Sequence, residues 1–238
     1  MLKLEENIFK WAKSQIADLG PMEPIREQAS SRKYYRVSSR GRSFILAFSD
    51  PQKELNNEFI KYSKFLITNS VSVPRIEAFD VENGFMLIED FGDKVFLDEV
   101  DTKNRKDLYL LAIEQIIKLQ SAENNDDINQ LNKKSVKEQM QLFEEWFLFG
   151  YLNLEVHSSE KSIINDAYTF IAKRFLIQKK TLCHFDFELR NLMLRQDGTI
   201  GVLDFQDLTY GPFTLDLVSL IKDIDTPISN EEINFYLE

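Results

Sequence analysis

The sequence predicts an α+β protein that folds into two lobes. Three observations support this fold class: residues 1–90 alternate between helical and hairpin patterns, a short acidic segment around Gly92 follows, and the apolar residues beyond it recur mainly with helical spacing. We therefore expect a first lobe at 1–90, built from a small antiparallel sheet with helices, and a mainly helical second lobe at 91–238. The hinge is expected at about residues 87–94, and a cleft between two lobes is a usual place for a ligand.

The first lobe is expected to begin with an amphipathic helix and a hairpin. Apolar residues recur every three or four positions from the N-terminus until Gly20 ends the run. Segment 32–37 then alternates and is rich in aromatic residues, segment 43–48 is apolar, and turn residues separate the two at 38–41. We interpret the helix as a core-packing element, which is the usual meaning of such an apolar stripe.

A second helix and a second hairpin complete the predicted first lobe. Pro51 suits the first turn of a helix and precedes apolar residues at helical spacing. Segments 76–79 and 85–88 have strand character and flank Asn83-Gly84, a dipeptide typical of hairpin turns. The order helix, hairpin, helix, hairpin predicts a small antiparallel sheet with a helix packed on it.

The second lobe is predicted to be mainly helical. Apolar stripes at 108–119 and 163–175 each predict a helix, and an aromatic cluster around Trp146 predicts another between them. Near the C-terminus, helices are expected from about Thr214 and from Ser229, the latter with the capping-box pattern. The last of these is only two turns long where the sequence stops, so we expect the chain to be C-terminally short.

Composition excludes several classes of function. The 238 residues are 43% hydrophobic, enough for a substantial core, and the formal charge of −10 argues against a nucleic-acid partner, which requires a basic face. A single cysteine, Cys183, rules out a disulfide framework or a Cys-based metal site. No signal peptide and no apolar run of about 18 residues is found, so we expect no membrane association and a cytoplasmic protein.

The most informative stretch runs from Thr181 to Asp207. It contains Asp186, two residues after a histidine, then Asn191 five residues later, and Asp204 after a short apolar strand. Phosphoryl transfer to a hydroxyl needs a carboxylate that orients the hydroxyl and takes its proton, and Asp186 has the position for that role. Isolated Asp and Asn residues are common in loops, but this combined spacing indicates a kinase-type catalytic loop.

Asn191 and Asp204 are the predicted metal ligands. Amide and carboxylate oxygens suit Mg²⁺, which bridges the phosphates of a nucleotide during phosphoryl transfer. The segment Gln196-Asp197-Gly198 predicts a hairpin turn between the two residues. This hairpin would bring both side chains to one metal cluster.

Four neighbouring residues have a structural and a chemical interpretation. His184 is either a base or, as we favour, a residue that holds backbone near Asp204. Asp216 is either an ordinary acid at a helix start or, as we favour, a carboxylate that braces the catalytic loop. Arg190 either holds phosphate or acceptor or anchors the loop, and Cys183 is expected to be a buried small hydrophobe.

The stretch HFDFELRNLML, followed by GVLDFQDLTYGPFTLDLVSLIKD, resembles the aminoglycoside phosphotransferase/choline kinase-like superfamily, whose fold is like that of protein kinases. Within it, DFQD and the GP-x-x-x-DLVSL run look most like bacterial kinases that phosphorylate N-acetylmuramate and N-acetylglucosamine at the anomeric C1. Weaker similarity extends through ASSRKYYRV, GRSFIL, VPRIEAFDVENGFMLIEDFGD and LFEEWFL, so it covers nearly the whole chain.

The resemblance implies a role for each candidate residue. Asp186 would be the catalytic base, Asn191 and Asp204 would bind Mg²⁺, segment 29–36 would replace the phosphate loop, and segment 87–92 would be the hinge against which adenine lies. The implied nucleotide-binding residues are Ser30, Ser31, Arg32, Lys33, Arg36, Glu58, Leu87, Glu89, Asp90 and Phe91, where Glu58 would pair with a phosphate-binding cation. The residues assigned to the acceptor are Glu188, Arg190 and Asp207.

This sequence departs from the family pattern at four places. The segment 28–33 has no glycine, so serine hydroxyls and backbone N–H groups would have to hold phosphate. The strand position of the kinase lysine falls near Ala47, which leaves Arg32, Lys33 or Arg36 as the source of positive charge. Phe187-Glu188-Leu189 replaces an aromatic residue, His and Ser, and the relatives continue as helices beyond the end of this chain.

The resulting expectation is a Mg²⁺-dependent kinase that transfers the γ-phosphate of ATP to a sugar hydroxyl. The favoured acceptor is the anomeric hydroxyl of an N-acetylated amino sugar, as in the recycling of cell-wall sugars. One alternative is a kinase of the same superfamily that acts on an aminoglycoside, choline or a homoserine-like acceptor. Another is a nucleotide-binding protein, or a truncated fragment, without catalysis.

Overall fold

A computed structural model describes residues 2–25, 32–52, 56–123 and 125–238. It confirms the α+β architecture with a sheet-containing first lobe and a mainly helical second lobe. The first-lobe elements are α1 (Leu2–Gln15), β1 (Glu23–Pro24), β2 (Lys33–Ser39), β3 (Arg42–Phe48), α2 (Asn56–Thr68), β4 (Ile76–Asp80) and β5 (Phe85–Glu89). The five strands form one antiparallel sheet in the order β1-β2-β3-β5-β4.

The two faces of this sheet have different partners because strand side chains alternate. Tyr35, Val37, Leu46 and Leu87 pack against Ile8 and the rest of the apolar stripe of α1. The opposite face, which includes Ala47, belongs to the main core shared with α2 and the second lobe. Both predicted hairpins are confirmed, with turns at 40–41 and 81–84.

The predicted start of the second helix at Pro51 is wrong. Pro51 lies in a turn, in which the Asp50 side chain accepts a hydrogen bond from the backbone N–H of Gln52 (3.0 Å), and α2 begins at Asn56. An aspartate that bonds the backbone two residues ahead favours a turn over a helix, which explains the difference.

The second lobe contains the predicted helices together with two small sheets. Its helices are α3 (Phe96–Glu99), α4 (Arg105–Gln120), α5 (Lys133–Leu142), α6 (Ser158–Leu176), α7 (Leu215–Ile221) and α8 (Asn230–Leu237). Its strands are β6 (Lys180–Cys183), β7 (Leu192–Leu194), β8 (Ile200–Val202) and β9 (Thr209–Pro212), paired as β6–β9 and β7–β8. The capping box between Ser229 and Glu232 is present, and Tyr236 stacks on Tyr109 of α4 with a centroid distance of 5.3 Å.

The aromatic segment around Trp146 is wound differently from the α-helix that we expected. Residues Phe143–Tyr151 form a π-helix that continues α5, and the N–H of Leu152 bonds to the carbonyl of Phe147, five residues back. This wider turn aligns residues four apart, and Phe143, Phe147 and Tyr151 stack at centroid distances of 5.4 and 6.0 Å. Within the described ranges, the helices are too short or too polar to cross a membrane.

Candidate active site

The predicted catalytic loop lies between β6 and β7, and a buried carboxylate holds its beginning. Asp216, 1% exposed near the start of α7, accepts hydrogen bonds from the N–H groups of His184 (2.8 Å) and Phe185 (3.0 Å). Phe185 has a φ of +81°, a costly conformation for a bulky residue. Burial raises the pKa of Asp216, while His184 and the two N–H donors oppose that shift. These bonds support a bracing role for Asp216.

The buried ring of His184 ties the loop to the residue before Asp204. Its Nε2 lies 2.8 Å from the carbonyl oxygen of Leu203, to which it donates a hydrogen bond as the Nε2–H tautomer. The ring is fully buried and packs edge-on against Phe187, so the geometry favours the structural interpretation of His184 over that of a base. Burial raises the pKa of Cys183 to about 12, which agrees with a small hydrophobic residue rather than a nucleophile.

Asn191 links the two carboxylates of the predicted catalytic set. Its Nδ2 donates to the backbone oxygen (3.0 Å) and to Oδ2 (3.1 Å) of Asp186, and its backbone oxygen accepts from the N–H of Leu203 (2.8 Å). The pairing of β7 with β8 therefore places Asn191 beside Asp204, which follows Leu203. Asp204 adopts the left-handed conformation (φ +60°), and its side chain is 45% exposed.

The donor set fits Mg²⁺. Because Nδ2 of Asn191 is committed to Asp186, its Oδ1 is the atom available to a cation, and Asp204 adds carboxylate oxygens beside it. Over the described ranges, no three His, Cys, Asp or Glu side chains converge as they would in an all-protein metal cage. Mg²⁺ needs no such cage, since it is typically held by one or two carboxylates together with substrate phosphates.

Of the three predicted cations, Arg32 is the one that the structure brings next to Asp204. Its Nη1 lies 3.9 Å from Oδ1 of Asp204 and 3.3 Å from Oε1 of Gln206, and its Nε lies 3.3 Å from Oγ of Ser49. The guanidinium is also 5.6 Å from the ring centroid of Phe59, within the range of a cation–π contact. With a side chain that is 7% exposed, Arg32 presents a buried positive charge beside Asp204.

Arg36 lies in the middle of β2, four residues after Arg32, and is bound to the hinge. Its guanidinium contacts Asp90 (2.7 Å), Asp93 (2.6 Å) and the carbonyl of Gly92 (3.2 Å). Burial raises the pKa of Asp90, but hydrogen bonds from Arg36, from Ser43 and from the Gly92 N–H outweigh it, so the pKa lies below the ordinary value. We expected Arg36 and Asp90 to contact nucleotide, whereas their contacts form a clamp within the hinge.

The other hinge residues also make structural contacts. The Glu89 carboxylate pairs with Arg75 (3.3 Å) and with Arg195 of the second lobe (2.9 Å). The buried ring of Phe91 lies against Gly201 so closely that a Cβ there would be 2.3 Å from Cε2 of the ring. Leu87 points to α1, away from the second lobe. Its backbone lies between β3 and β4, opposite Leu46 and Ala78, so a contact of Leu87 with adenine stays a prediction from the resemblance.

The remaining predicted nucleotide-binding residues of the first lobe are Ser30, Ser31, Lys33 and Glu58. Ser30 and Ser31 lie outside the described residues. Side chains of β2 alternate between the two faces of the sheet. Lys33 is two residues before Tyr35, which packs towards α1, so the Lys33 side chain is directed to that face and away from the cleft. Glu58 lies in the first turn of α2 and lines a cavity of about 610 Å³.

That cavity adjoins the catalytic loop. Phe185, Gln206 and Asp207 line one side, and Gln206 also donates to Asp204 through Nε2 (2.7 Å). Glu58, Lys61 and Asp127 contribute charged groups from α2 and the following lobe. Asp207 lines this cavity on the side of the first-lobe helix, and its contact with an acceptor stays a prediction.

Glu188 and Arg190 form an ion-pair chain beside Asp186. Nε of Arg190 lies 3.0 Å from Glu188, and its Nη2 lies 2.7 Å from Asp225. Burial, and next the charge of Asp186, raise the pKa of Glu188. The sequence analysis did not identify Asp225, nor the buried Asp223, whose Oδ2 accepts from the N–H of Leu189 (3.1 Å). Their position soon after α7, which also supplies Asp216, is the only sequence signal for them.

Comparison with known proteins identifies what this arrangement is similar to. The sequence pattern of the phosphotransferase enzyme family matches residues 21–238. An N-acetylmuramate/N-acetylglucosamine kinase of Pseudomonas putida is 31% identical over 229 residues, which cover 92% of this chain and 67% of that protein. A kinase of the same description from Neisseria meningitidis serogroup B is 32% identical over 200 residues, covering 82% of this chain and 59% of the relative.

Solved structures agree on the fold. A choline kinase from Streptococcus pneumoniae has a TM-score of 0.62 at 17% identity, with 98% of this chain and 85% of that chain covered. An ADP-bound aminoglycoside phosphotransferase has a TM-score of 0.69 at 15% identity, with coverage of 98% and 82%. At these identities the likeness is one of fold, and it confirms the kinase-like two-lobed architecture.

Proposed function

The chain belongs to the phosphotransferase enzyme family, and on that premise we propose that it transfers the γ-phosphoryl group of ATP to the anomeric hydroxyl of an N-acetylated amino sugar. The observation that carries the proposal is the hydrogen-bonded set of Asp186, Asn191 and Asp204. The curated relatives described as N-acetylmuramate/N-acetylglucosamine kinases support the sugar as the acceptor class. Because ATP is the donor, we place the reaction in the cytoplasm.

Asp186 is the group that acts on the acceptor. Its Oδ2 accepts from Asn191, and its other carboxylate oxygen is able to accept a hydrogen bond from the sugar hydroxyl. It orients that hydroxyl in line with the γ-phosphate and takes its proton late in the transfer. The brace from Asp216 to the two preceding N–H groups keeps Asp186 in place.

The nucleotide phosphates lie between Asp204 and the first lobe in this proposal. Asn191 and Asp204 would hold Mg²⁺, which when bound neutralises charge on the transferring phosphoryl group. Arg32 supplies the second positive charge, in place of the kinase lysine, whose expected strand position is near Ala47. The clamp of Arg36 on Asp90 sets the hinge, so Arg32, just before β2, and Arg36, within it, have separate tasks.

A direct assay tests the proposal. The protein is incubated with Mg²⁺-ATP and N-acetylglucosamine or N-acetylmuramate, ADP release is followed, and the sugar phosphate is identified by ³¹P NMR as an anomeric ester. Turnover of an aminoglycoside, choline or homoserine without turnover of either sugar would overturn the acceptor and keep the kinase. Binding of Mg²⁺-ATP without transfer to any of these acceptors would support a non-catalytic nucleotide-binding protein.

A further inference from the structure

Acidic side chains surround Asp186 on the side of the catalytic loop. Glu188 is two residues from Asp186, and its backbone N–H donates to the carbonyl oxygen of Asp186 (3.0 Å); Asp225 follows at the far end of the Arg190 ion-pair chain. These three acids, Asp186, Glu188 and Asp225, are called the acceptor-side acids below. Any hydroxyl that contacts Asp186 therefore lies next to a second carboxyl group.

The cation of this cluster is already engaged on both sides. Arg190 pairs with Glu188 through Nε at 3.0 Å and with Asp225 through Nη2 at 2.7 Å. A substrate carboxylate at Arg190 would share one guanidinium with two protein carboxylates, so the attraction it gains from this cation is reduced. The acceptor-side acids and Arg190 together carry a formal charge of −2 when all are ionised, which is three carboxylates less one guanidinium.

The cavity between α2 and the catalytic loop has the same sign of charge. The cavity of about 610 Å³ beside Phe185 is lined by three acids, Glu58, Asp127 and Asp207, and by one cation, Lys61. Lys61 is bonded to Asp127, so it too is already paired. Among the described lining residues, a sugar that extends in this direction again meets an excess of carboxylates.

From this distribution we infer that the acceptor site selects a neutral N-acetylated amino sugar and discriminates against one that bears a carboxylate, so N-acetylglucosamine is preferred to N-acetylmuramate. The inference rests on the proposed function and specifies its substrate. N-acetylmuramate carries a lactyl carboxylate on the same small ring as the anomeric hydroxyl. Its charge therefore falls within about 8 Å of Asp186 and Glu188, which is comparable to the screening length at physiological ionic strength and well below that at low salt.

Hydrogen bonding favours the same sugar. Ionised carboxylates are acceptors only, and the hydroxyl and amide groups of a neutral amino sugar are donors to them. The lactyl carboxylate of N-acetylmuramate adds repulsion to these acids and supplies no hydrogen-bond donor. Glu188 is part of Phe187-Glu188-Leu189, the segment in which this chain departs from its relatives, so the discrimination would be a property of this chain rather than of its family.

The experiment compares three sugars with Mg²⁺-ATP: N-acetylglucosamine, N-acetylmuramate, and N-acetylmuramate with its lactyl carboxylate converted to the amide. The amide has nearly the size of the acid without its charge, so it separates repulsion from steric exclusion. At low ionic strength we expect the kcat/KM of the amide to exceed that of the acid at least about tenfold, and the ratio to shrink at about 0.5 M salt, where charges are screened.

Variants assign the effect to named residues. Glu188→Gln and Asp225→Asn should each raise the kcat/KM of the acid relative to the amide about threefold or more, the second because it also frees Arg190. Glu82→Gln, which removes an exposed acid from the turn between β4 and β5, should leave the ratio unchanged. Because each variant is judged by a ratio of two substrates, a general loss of activity does not affect the result.

The outcomes separate the two proposals. Equal kcat/KM values for acid and amide, or a preference for the acid, would overturn the inference while the proposed kinase stands. Exclusion of both lactyl sugars, acid and amide alike, would also overturn it, because the discrimination would then be steric. Failure of all three sugars would overturn the proposed function, and the inference would fall with it.

Discussion

Arg32 of the first lobe lies 3.9 Å from Asp204 of the second lobe, measured from Nη1 to Oδ1. Arg32 precedes β2, and Ala47, at the position of the kinase lysine, is on the adjacent strand β3, where it faces Tyr34. A cation from the residue just before the neighbouring strand is therefore the candidate to serve the region expected of a lysine at position 47. Arg36, four residues further along, is about 13 Å away at strand spacing, too far to serve the same phosphate.

The first prediction concerns this cation. Replacing Arg32 with Ala should lower kcat about 10²-fold, since a charge aimed at the transferring group is lost. Arg32→Lys should retain part of the activity, because it keeps a charge without the planar fork. The affinity for ATP should fall more than that for ADP, as measured by calorimetry, because the contact is expected at the terminal phosphate.

Lys33→Ala provides the comparison for Arg32. The side chain of Lys33 is directed to the other face of β2, so kcat should change no more than about twofold, as for a surface substitution. An equal loss in Lys33→Ala and Arg32→Ala would contradict the assignment of the phosphate charge to Arg32.

The second prediction tests Asp186. Asp186→Asn should lower kcat by about 10²- to 10⁴-fold, because the amide cannot take the acceptor proton. The hydrogen bond from Asn191 is lost in part, but Mg²⁺-ATP affinity and the unfolding midpoint should remain close to those of the parent protein. Asp166→Asn, an exposed acid on α6, serves as the matched control. Activity that survives in Asp186→Asn would sink the mechanism.

Local patterns were sufficient to predict most elements of the fold. The alternation at 32–37, the Asn83-Gly84 turn and the capping box at Ser229 each act within a few residues, and the structure confirms all three. The π-helix at Phe143–Tyr151 could not be predicted, because the apolar spacing there is equally compatible with an α-helix. The pairing of β6 with β9 was also missed, since those strands are about 30 residues apart and short.

The residues of the candidate site also fall into those that local patterns predict and those that depend on long-range contacts. Asp186, Asn191 and Asp204 were found because their spacing reflects one loop and one hairpin. The choice among Arg32, Lys33 and Arg36 stayed open, because strand periodicity separates two faces without telling which one meets the second lobe. Asp90 pairs with Arg36 in the middle of β2, Asp204 lies beside Arg32 just before the strand, and such long-range pairing is absent from any local pattern.

The third prediction concerns the stability of the hinge. Asp90→Asn should lower the free energy of unfolding by about 2 kcal/mol near neutral pH, because the carboxylate is 4% exposed and bonded to Arg36, Ser43 and Gly92. Asp93→Asn removes the other acid on Arg36, which is 81% exposed, and should cost less than about 1 kcal/mol. Urea unfolding of both variants measures the difference.

The stability difference between the parent protein and Asp90→Asn should depend on pH in a definite direction. Since the pKa of Asp90 is lowered on folding, its contribution is fully present above its unfolded pKa of about 3.9 and is lost as the pH falls through the lower folded value. The gap between the parent protein and Asp90→Asn should thus be constant from about pH 6 to 8 and should narrow below about pH 4. A gap that widened on acidification would contradict the clamp.

The fourth prediction concerns Asp223, which accepts from the backbone N–H of Leu189 inside the catalytic loop. Asp223→Ala leaves that buried donor unsatisfied and should lower kcat about tenfold with little change in the KM for ATP, because the loop and not the nucleotide site is disturbed. Asp223→Asn keeps an acceptor oxygen and should recover most of the lost rate. A change of the same size in KM with kcat preserved would exclude a positioning role.

The fifth prediction follows from the raised pKa of Glu188. Burial and the nearby charge of Asp186 make Glu188 take up a proton at higher pH than a free glutamate. As the pH is lowered, Glu188 becomes neutral before the lactyl carboxylate of N-acetylmuramate does, because ordinary carboxylates titrate near pH 4, and there is a pH range in which only Glu188 is protonated. The kcat/KM of N-acetylmuramate relative to its amide should therefore rise as the pH falls. In Glu188→Gln the same ratio should start higher and stay flat over this range, and a parallel rise in both proteins would show that another group controls the discrimination.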